Sequence, residues 1–160
     1  MSVSKWPLSQ IGWASRVVVL LVGLAWLREQ TAAVSNLPFV EGDLWRNLIL
    51  ISAYWVTMLA PGFYLVAAWC AGSVFLRLDK GTAFGPTVVR GLREIGGNLI
   101  AGALTAIVFA PTVLPIIEDR FRGVRYDFEI EPVTIGLIGL LLWLITAAGE
   151  KLQSEMESFV

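Results

Sequence analysis

The sequence predicts an all-α, polytopic membrane protein: a four-helix transmembrane bundle with both termini cytoplasmic and a short β-hairpin in the outer loop between helices 3 and 4. Three observations lead there. Asn47 to Leu76 runs thirty residues without a charged side chain, whereas a bilayer core of about 30 Å needs only about 20 apolar residues in a helix. Three further runs, Val17–Leu27, Ile95–Ile117 and Pro132–Gly149, are also charge-free. Charged residues make up 16% of the chain, against about 25% in a typical soluble domain. Residues 1–160 therefore read as a single membrane domain, with spans expected at 11–30, 47–76, 87–117 and 132–152.

The first span reaches membrane length only when Ile11, Trp13 and Arg16 are counted into it. A lysine ahead of a short apolar run also describes a signal peptide, and Thr31 and Ala33 supply small residues for cleavage. Arg28 and Glu29 stand between the apolar run and that site, where a signal peptide is usually uncharged, and this favours a retained span.

The second span would measure about 45 Å if straight, too long for the bilayer. Pro61, followed by Gly62, lies in its middle. A kink there or an overhang at the cytoplasmic side is expected to absorb the excess. Tyr54, Thr57 and Tyr64 bracket the kink, either as a small polar pocket or, the favoured reading, as packing hydroxyls that are already satisfied. Cys70, the single cysteine, falls inside this span and reads as packing.

In the third span Gly97 and Ala101, then Gly102 and Ala106, recur at four-residue spacing, with Asn98 and Thr105 beside them. The fourth carries Gly136 and Gly139, and the second Ala68 and Gly72. Small residues at this spacing let helix backbones approach closely in lipid. Packing within one bundle is favoured over oligomerisation. Asn98 is the residue expected to hydrogen-bond across helices. Pro111 and Pro115 loosen the outer end of the third span, while Pro86 and Pro132 sit where a helix can begin.

Orientation follows from basic residues near the span ends. With both termini inside, Lys5, Arg16, Arg77, Lys80, Arg90, Arg93 and Lys151 are cytoplasmic, against Arg28, Arg46, Arg120, Arg122 and Arg125 outside. The net charge of −1 gives no footing for direct nucleic-acid binding, which needs a concentrated basic face. The inner loop from Arg77 to Glu94 exerts at most a weak pull on anionic lipid heads.

The residues needed for chemistry are scarce. There is no histidine, which removes the commonest general base and transition-metal ligand, and no phosphate loop of the GxxxxGK type. No ionisable residue sits mid-span to mark a proton or ion path. The outer carboxylates Glu118, Asp119, Asp127, Glu129 and Glu131 are interleaved with Arg120, Arg122 and Arg125, as in a solvated, internally paired loop. An enzyme is therefore not expected, and neither a cofactor nor a metal is implied.

Two segments outside the lipid stand out. Tyr126, Phe128 and Ile130 alternate with Arg125, Asp127, Glu129 and Glu131, the period-two pattern of a strand with one apolar face. Gly123 permits a turn back to Phe121, giving a hairpin over the bundle's mouth that acts as a cap or receives a ligand. At the other end Leu152, Met156 and Phe159 recur at i, i+4, i+7, so the fourth helix is expected to run on as an amphipathic turn or two.

Phe75 to Ile100 reads FLRLDKGTAFGPTVVRGLREIGGNLI, and Leu137 to Val160 reads LIGLLLWLITAAGEKLQSEMESFV. Both resemble bacterial membrane proteins of the domain of unknown function 2975 family, in which a Lys-Gly, Phe, Arg-x-Leu-Arg-x-Ile-Gly series opens the third span. Lys80, Gly81, Phe84, Arg90, Leu92, Arg93, Ile95 and Gly96 stand at those positions. The tail departs from the family pattern by closing in Phe159-Val160 rather than a β-branched pair. The resemblance implies a four-span bacterial inner-membrane protein, often accompanied by a small helix-turn-helix regulator, and carries no catalytic residues over. It leads to the expectation of a non-catalytic regulatory or sensory partner that docks such a DNA-binding protein through Lys80, Phe84, Arg90, Arg93, Leu152 and Met156. The alternative is an accessory or scaffold subunit, packed laterally in a larger membrane complex or homo-oligomer through the small-residue stripe. A small-molecule transporter is a weaker third reading.

Overall fold

The computed structural model describes residues 8–37, 39–79, 84–117 and 123–157. Among the described residues six α-helices follow one another: α1 Leu8–Ser35, α2 Leu44–Thr57, α3 Leu59–Asp79, α4 Phe84–Leu104, α5 Ala110–Ile117 and α6 Ile130–Glu157. A π-turn, Thr105–Phe109, joins α4 to α5. Four stretches are long and apolar enough to cross a membrane, Ser9–Ser35, Leu44–Leu78, Thr87–Pro115 and Ile130–Gly149. The chain is a multi-pass membrane protein with four candidate spans.

Helix ends are closed by local side chains. At the end of α1 the Ser35 hydroxyl donates to the Ala32 carbonyl at 2.7 Å, and the Asn36 amide donates to the same oxygen at 3.0 Å, satisfying a carbonyl that the ending helix leaves open. Gly42, at φ +85°, turns the chain, a conformation that glycine adopts without steric cost. Asp43 then caps α2 by accepting from the Arg46 N–H at 3.0 Å, as N-cap carboxylates do.

The second span breaks at Met58, one turn ahead of Pro61. Proline has no N–H for the carbonyl four residues earlier and its ring pushes that carbonyl aside, so the disturbance falls at Thr57. Met58 makes a tighter contact, its N–H reaching the Trp55 carbonyl at 3.1 Å, and the Gly62 N–H restarts the ladder on the Met58 carbonyl at 3.2 Å. The interruption thus falls on the residues before Pro61, where the sequence places a kink at the proline itself.

The helices form a row. Among the described residues α1 packs on α3, α3 on α4 and α4 on α6, while α2 leans on α5; α1 and α6 share no comparable seam. The four-helix transmembrane bundle expected from the sequence takes the form of this open arrangement. Lipid tails are as apolar as leucine, so nothing drives the two flanks to close on each other.

The interior is made of small residues. Eleven described residues are buried, namely six glycines (12, 72, 91, 96, 102, 139), three alanines (60, 67, 103) and two threonines (105, 146). Large apolar side chains point outward instead, including Leu21, Leu24, Leu137 and Ile145 at 55–63% exposure. This inverts the water-soluble pattern of buried large aliphatics and matches a protein whose outer surface is solvated by hydrocarbon.

The strand expected at Tyr126, Phe128 and Ile130 is not formed. Residues 124–129 are irregular, Ile130 begins α6, and no strand occurs among the described residues; Phe121, its expected partner, lies outside them. The backbone bonds of this segment go to a helix. Pro111 cannot donate to the Ile107 carbonyl, and the Asp127 N–H takes that acceptor at 2.9 Å. The Thr112 hydroxyl donates to the Arg125 carbonyl at 2.9 Å and accepts from its N–H at 3.2 Å. With its polar groups committed to the third span, the segment is a strap rather than a hairpin. The rings of Tyr126 and Phe128 pack at 5.6 Å and stay exposed.

Candidate functional site: the basic end of the row

The starts of α1 and α4 and the ends of α3 and α6 gather at one end, called the basic end for Arg77, Arg90 and Arg93, where the last turns of α6 also carry Glu150, Glu155 and Glu157; Glu41, Asp43, Asp127 and Glu129 stand at the opposite, acidic end. α3 closes its last turn with Arg77. On α4, Arg90 and Glu94 are four residues apart, a spacing that brings side chains together on one helix face. The Arg90 Nε donates to Glu94 Oε1 at 3.1 Å, and Arg77 Nη1 lies 3.9 Å from the same oxygen. Glu94 therefore ties α3 to α4 while the cluster keeps a net positive charge. The Arg90 side chain is 75% exposed, so the pair contributes about 1 kcal/mol or less and leaves the guanidinium accessible.

Arg93 reaches the third helix of this end, its guanidinium 5.9 Å from the centre of the Trp143 ring on α6, within cation–π range. α4 and α6 run antiparallel in close register. A methyl group on Gly96 would meet the Gly139 carbonyl at 2.7 Å, and one on Gly136 would meet Ala103 Cβ at 2.8 Å. α6 continues to Glu157, eight residues past the end of its apolar span at Gly149, or about 12 Å of helix. Of the docking residues expected from the sequence, Arg90 and Arg93 stand at this end; Lys80 and the side chains of Phe84, Leu152 and Met156 lie outside the described residues.

The small-residue positions divide. Gly139, Gly136 and Gly102 are at seams, Gly102 against the Tyr64 ring and 3.2 Å from the Ala60 carbonyl once given a methyl group. Ala101 is half-buried, and its carbonyl accepts from Thr105. Gly97 is exposed, and a methyl group there would have nothing within 4 Å; its neighbour Gly96 makes the crossing. Among the described residues Asn98 makes no bond across helices. Its amide donates to the Glu94 carbonyl of its own helix at 2.8 Å, an i−4 contact open to any side-chain donor on a helix.

Sequence reasoning missed the most unusual polar contact. Arg16, counted into the first span from the sequence, is the ninth residue of α1. Its Nη2 donates to Ser73 Oγ on α3 at 2.8 Å, Ser73 in turn donates to the Trp69 carbonyl at 3.0 Å, and the guanidinium lies 4.8 Å from the Trp69 ring centre. Gly12 and Gly72 permit this closeness: a methyl group on Gly12 would meet the Gly72 carbonyl at 3.0 Å. The signal was present as Gly12 and Arg16 one turn apart, opposite Trp69 and Ser73 one turn apart. Beside them a cleft of about 340 Å³ is lined by Trp13, Arg16, Ser73, Leu76 and Arg77.

Elsewhere, α1 and α2 diverge around two apolar clefts of about 180 and 320 Å³ that share Trp26, Trp55 and Met58. The Tyr54 hydroxyl bonds both the carbonyl and the side chain of Gln30 there. Thr57 bonds its own helix, donating to the Tyr54 carbonyl at 2.7 Å. No group of residues able to hold a metal ion occurs among the described residues. No family model, no curated protein and no solved structure matches the chain.

Proposed function

We propose that the protein is a non-catalytic regulatory partner in a bacterial inner membrane, with the basic end in the cytoplasm, and that this end holds a small helix-turn-helix DNA-binding protein. The observation that carries the reading is α6, which continues eight residues beyond its apolar span beside the exposed Arg90. A helix that leaves the lipid next to an accessible cation offers a soluble partner both a groove edge and a charge to read. The resemblance of Phe75–Ile100 and Leu137–Val160 to a four-span family supports the same end and supplies the partner's class.

The test is crosslinking in native membranes, followed by purification of the full-length protein and mass spectrometry of what it retains. A DNA-binding protein attached at 84–94 or 150–157, lost when Arg90 and Arg93 are both changed to Glu, is the expected result. Undiminished recovery of that protein from the double variant would refute the docking assignment.

The open row favours a second reading, an accessory subunit that packs laterally in a larger membrane complex. Its flank α1 exposes Val17, Leu20, Leu21 and Leu24 along one side. Crosslinks from those positions to a polytopic protein, with none at the basic end, would select it.

A further inference from the structure

Arg16 lies within the first candidate span, and among the described residues no carboxylate forms an ion pair with it. Ionised groups inside a span are costly and are paired or functional. Ser73 supplies Arg16 with one acceptor, and Trp69 supplies a ring face. Arg16 Nε is buried without an acceptor.

We propose that the cleft between α1 and α3 binds the phosphate group of an anionic lipid, with Arg16 and Arg77 as its cationic contacts. Three features select this ligand. First, α1 runs away from the basic end, and side chains on a helix lean toward its N-terminus, so the stem of Arg16 carries its head back toward the headgroup level, as long basic side chains do. Second, Trp13 and Leu76 share the lining with Arg16, Ser73 and Arg77 in about 340 Å³, many times the roughly 30 Å³ share of a water. Tryptophan at the membrane–water boundary is itself a headgroup-level residue. Third, α1 is the flank of the row, so the cleft opens beside lipid. Arginine presents a planar fork of donors that suits phosphate, and Ser73 holds that fork in place. A soluble phosphate has the same anionic group but no use for the apolar walls.

The full-length protein would be examined by native mass spectrometry from detergent containing equal phosphatidylglycerol and phosphatidylcholine. Retention of phosphatidylglycerol over phosphatidylcholine is expected, falling about tenfold in Arg16→Gln and in Arg77→Gln, the effect of losing one charge-assisted contact. Arg125→Gln, at the other end, is expected to match the wild type. Arg77 is 45% exposed, so its variant decides the matter if Arg16→Gln does not fold. Equal retention of the two lipids by the wild type, or undiminished phosphatidylglycerol retention by Arg77→Gln, would overturn the proposal. Displacement of the lipid by inorganic phosphate alone would reassign the cleft to a soluble anion.

Discussion

The α1–α3 and α4–α6 seams use one device at two depths. Each crosses at a glycine pair, Gly12 with Gly72 and Gly96 with Gly139, and each lays an arginine over a tryptophan about one turn from the crossing. In α4–α6 the pair is Arg93 and Trp143, displaced from the crossing toward the basic end, where water and headgroups can reach a guanidinium. In α1–α3 the pair is Arg16 and Trp69, displaced the other way, into the span. The inward step changes what the arginine needs. Arg16 donates a hydrogen bond across the seam to Ser73, because away from bulk water an unmade hydrogen bond to a charged group costs far more.

The strongest way to break the comparison is to remove the glycine crossing they share. A side chain on Gly139 would meet the Gly96 carbonyl at 2.8 Å and the Ile100 nitrogen at 3.1 Å, backbone atoms that cannot swing aside. Gly139→Leu is expected to lower stability by about 3 kcal/mol, the upper range for overpacking, read as a large fall in the thermal midpoint in detergent. Gly97→Ala should be neutral or slightly stabilising, since nothing lies within 4 Å and alanine is the better helix former. Equal losses from the two would mean the seam does not run through Gly96.

Depth is tested next. Ser73→Ala removes the acceptor of Arg16 and is expected to cost about 2 kcal/mol, as for hydrogen bonds to charged groups. Thr134 on α6 also donates to its own helix, to the Ile130 carbonyl, but serves no charge. Thr134→Ala should stay within about 0.5 kcal/mol of wild type. Similar midpoints for the two variants would show that Arg16 does not depend on Ser73.

How much of this could be read from residues alone depends on range. The four spans were legible because charge-free length is a local property, and the run-on of α6 beyond Gly149 was legible from the apolar spacing of Leu152 and Met156. The break near Pro61 was legible too, displaced by the reach of a proline ring to its i−4 carbonyl. The choice between Gly96 and Gly97 was not, because adjacent residues differ by only about 100° around a helix and the partner's position decides which one faces it. The strap failed as a strand for a similar reason. Alternation describes its side chains, but its Asp127 N–H goes to the Ile107 carbonyl that Pro111, sixteen residues away, cannot use, and its Arg125 N–H goes to Thr112. Arg16 was discounted because its role lies in Trp69 and Ser73 on another helix.

That strap offers a smaller effect at the acidic end, where polar contacts meet water and no seam depends on them. Thr112→Val keeps the shape and removes both bonds to Arg125. The cost expected is about 1 kcal/mol, with faster proteolysis at 124–129 and no change at the two glycine crossings. Protection equal to wild type would mean that the Asp127–Ile107 bond alone holds the segment.

The smallest effect sharpens the contrast between a polar group with a partner and one without. In the middle seam the Tyr64 ring lies against Gly102, and its hydroxyl is buried with no hydrogen-bond partner among the described residues. Ser73 and Tyr64 are thus two hydroxyls on α3, nine residues apart, one bonded to a charge from the neighbouring helix and the other to no described residue. Removing an unsatisfied donor relieves its desolvation cost while the ring keeps its packing. Tyr64→Phe is therefore expected to leave the midpoint unchanged or slightly raised, within about 0.5 kcal/mol, where Ser73→Ala lowers it. A clear loss in Tyr64→Phe would reveal that the hydroxyl has found an acceptor in the membrane, and the middle seam would then be polar like the α1–α3 seam rather than apolar like a glycine crossing.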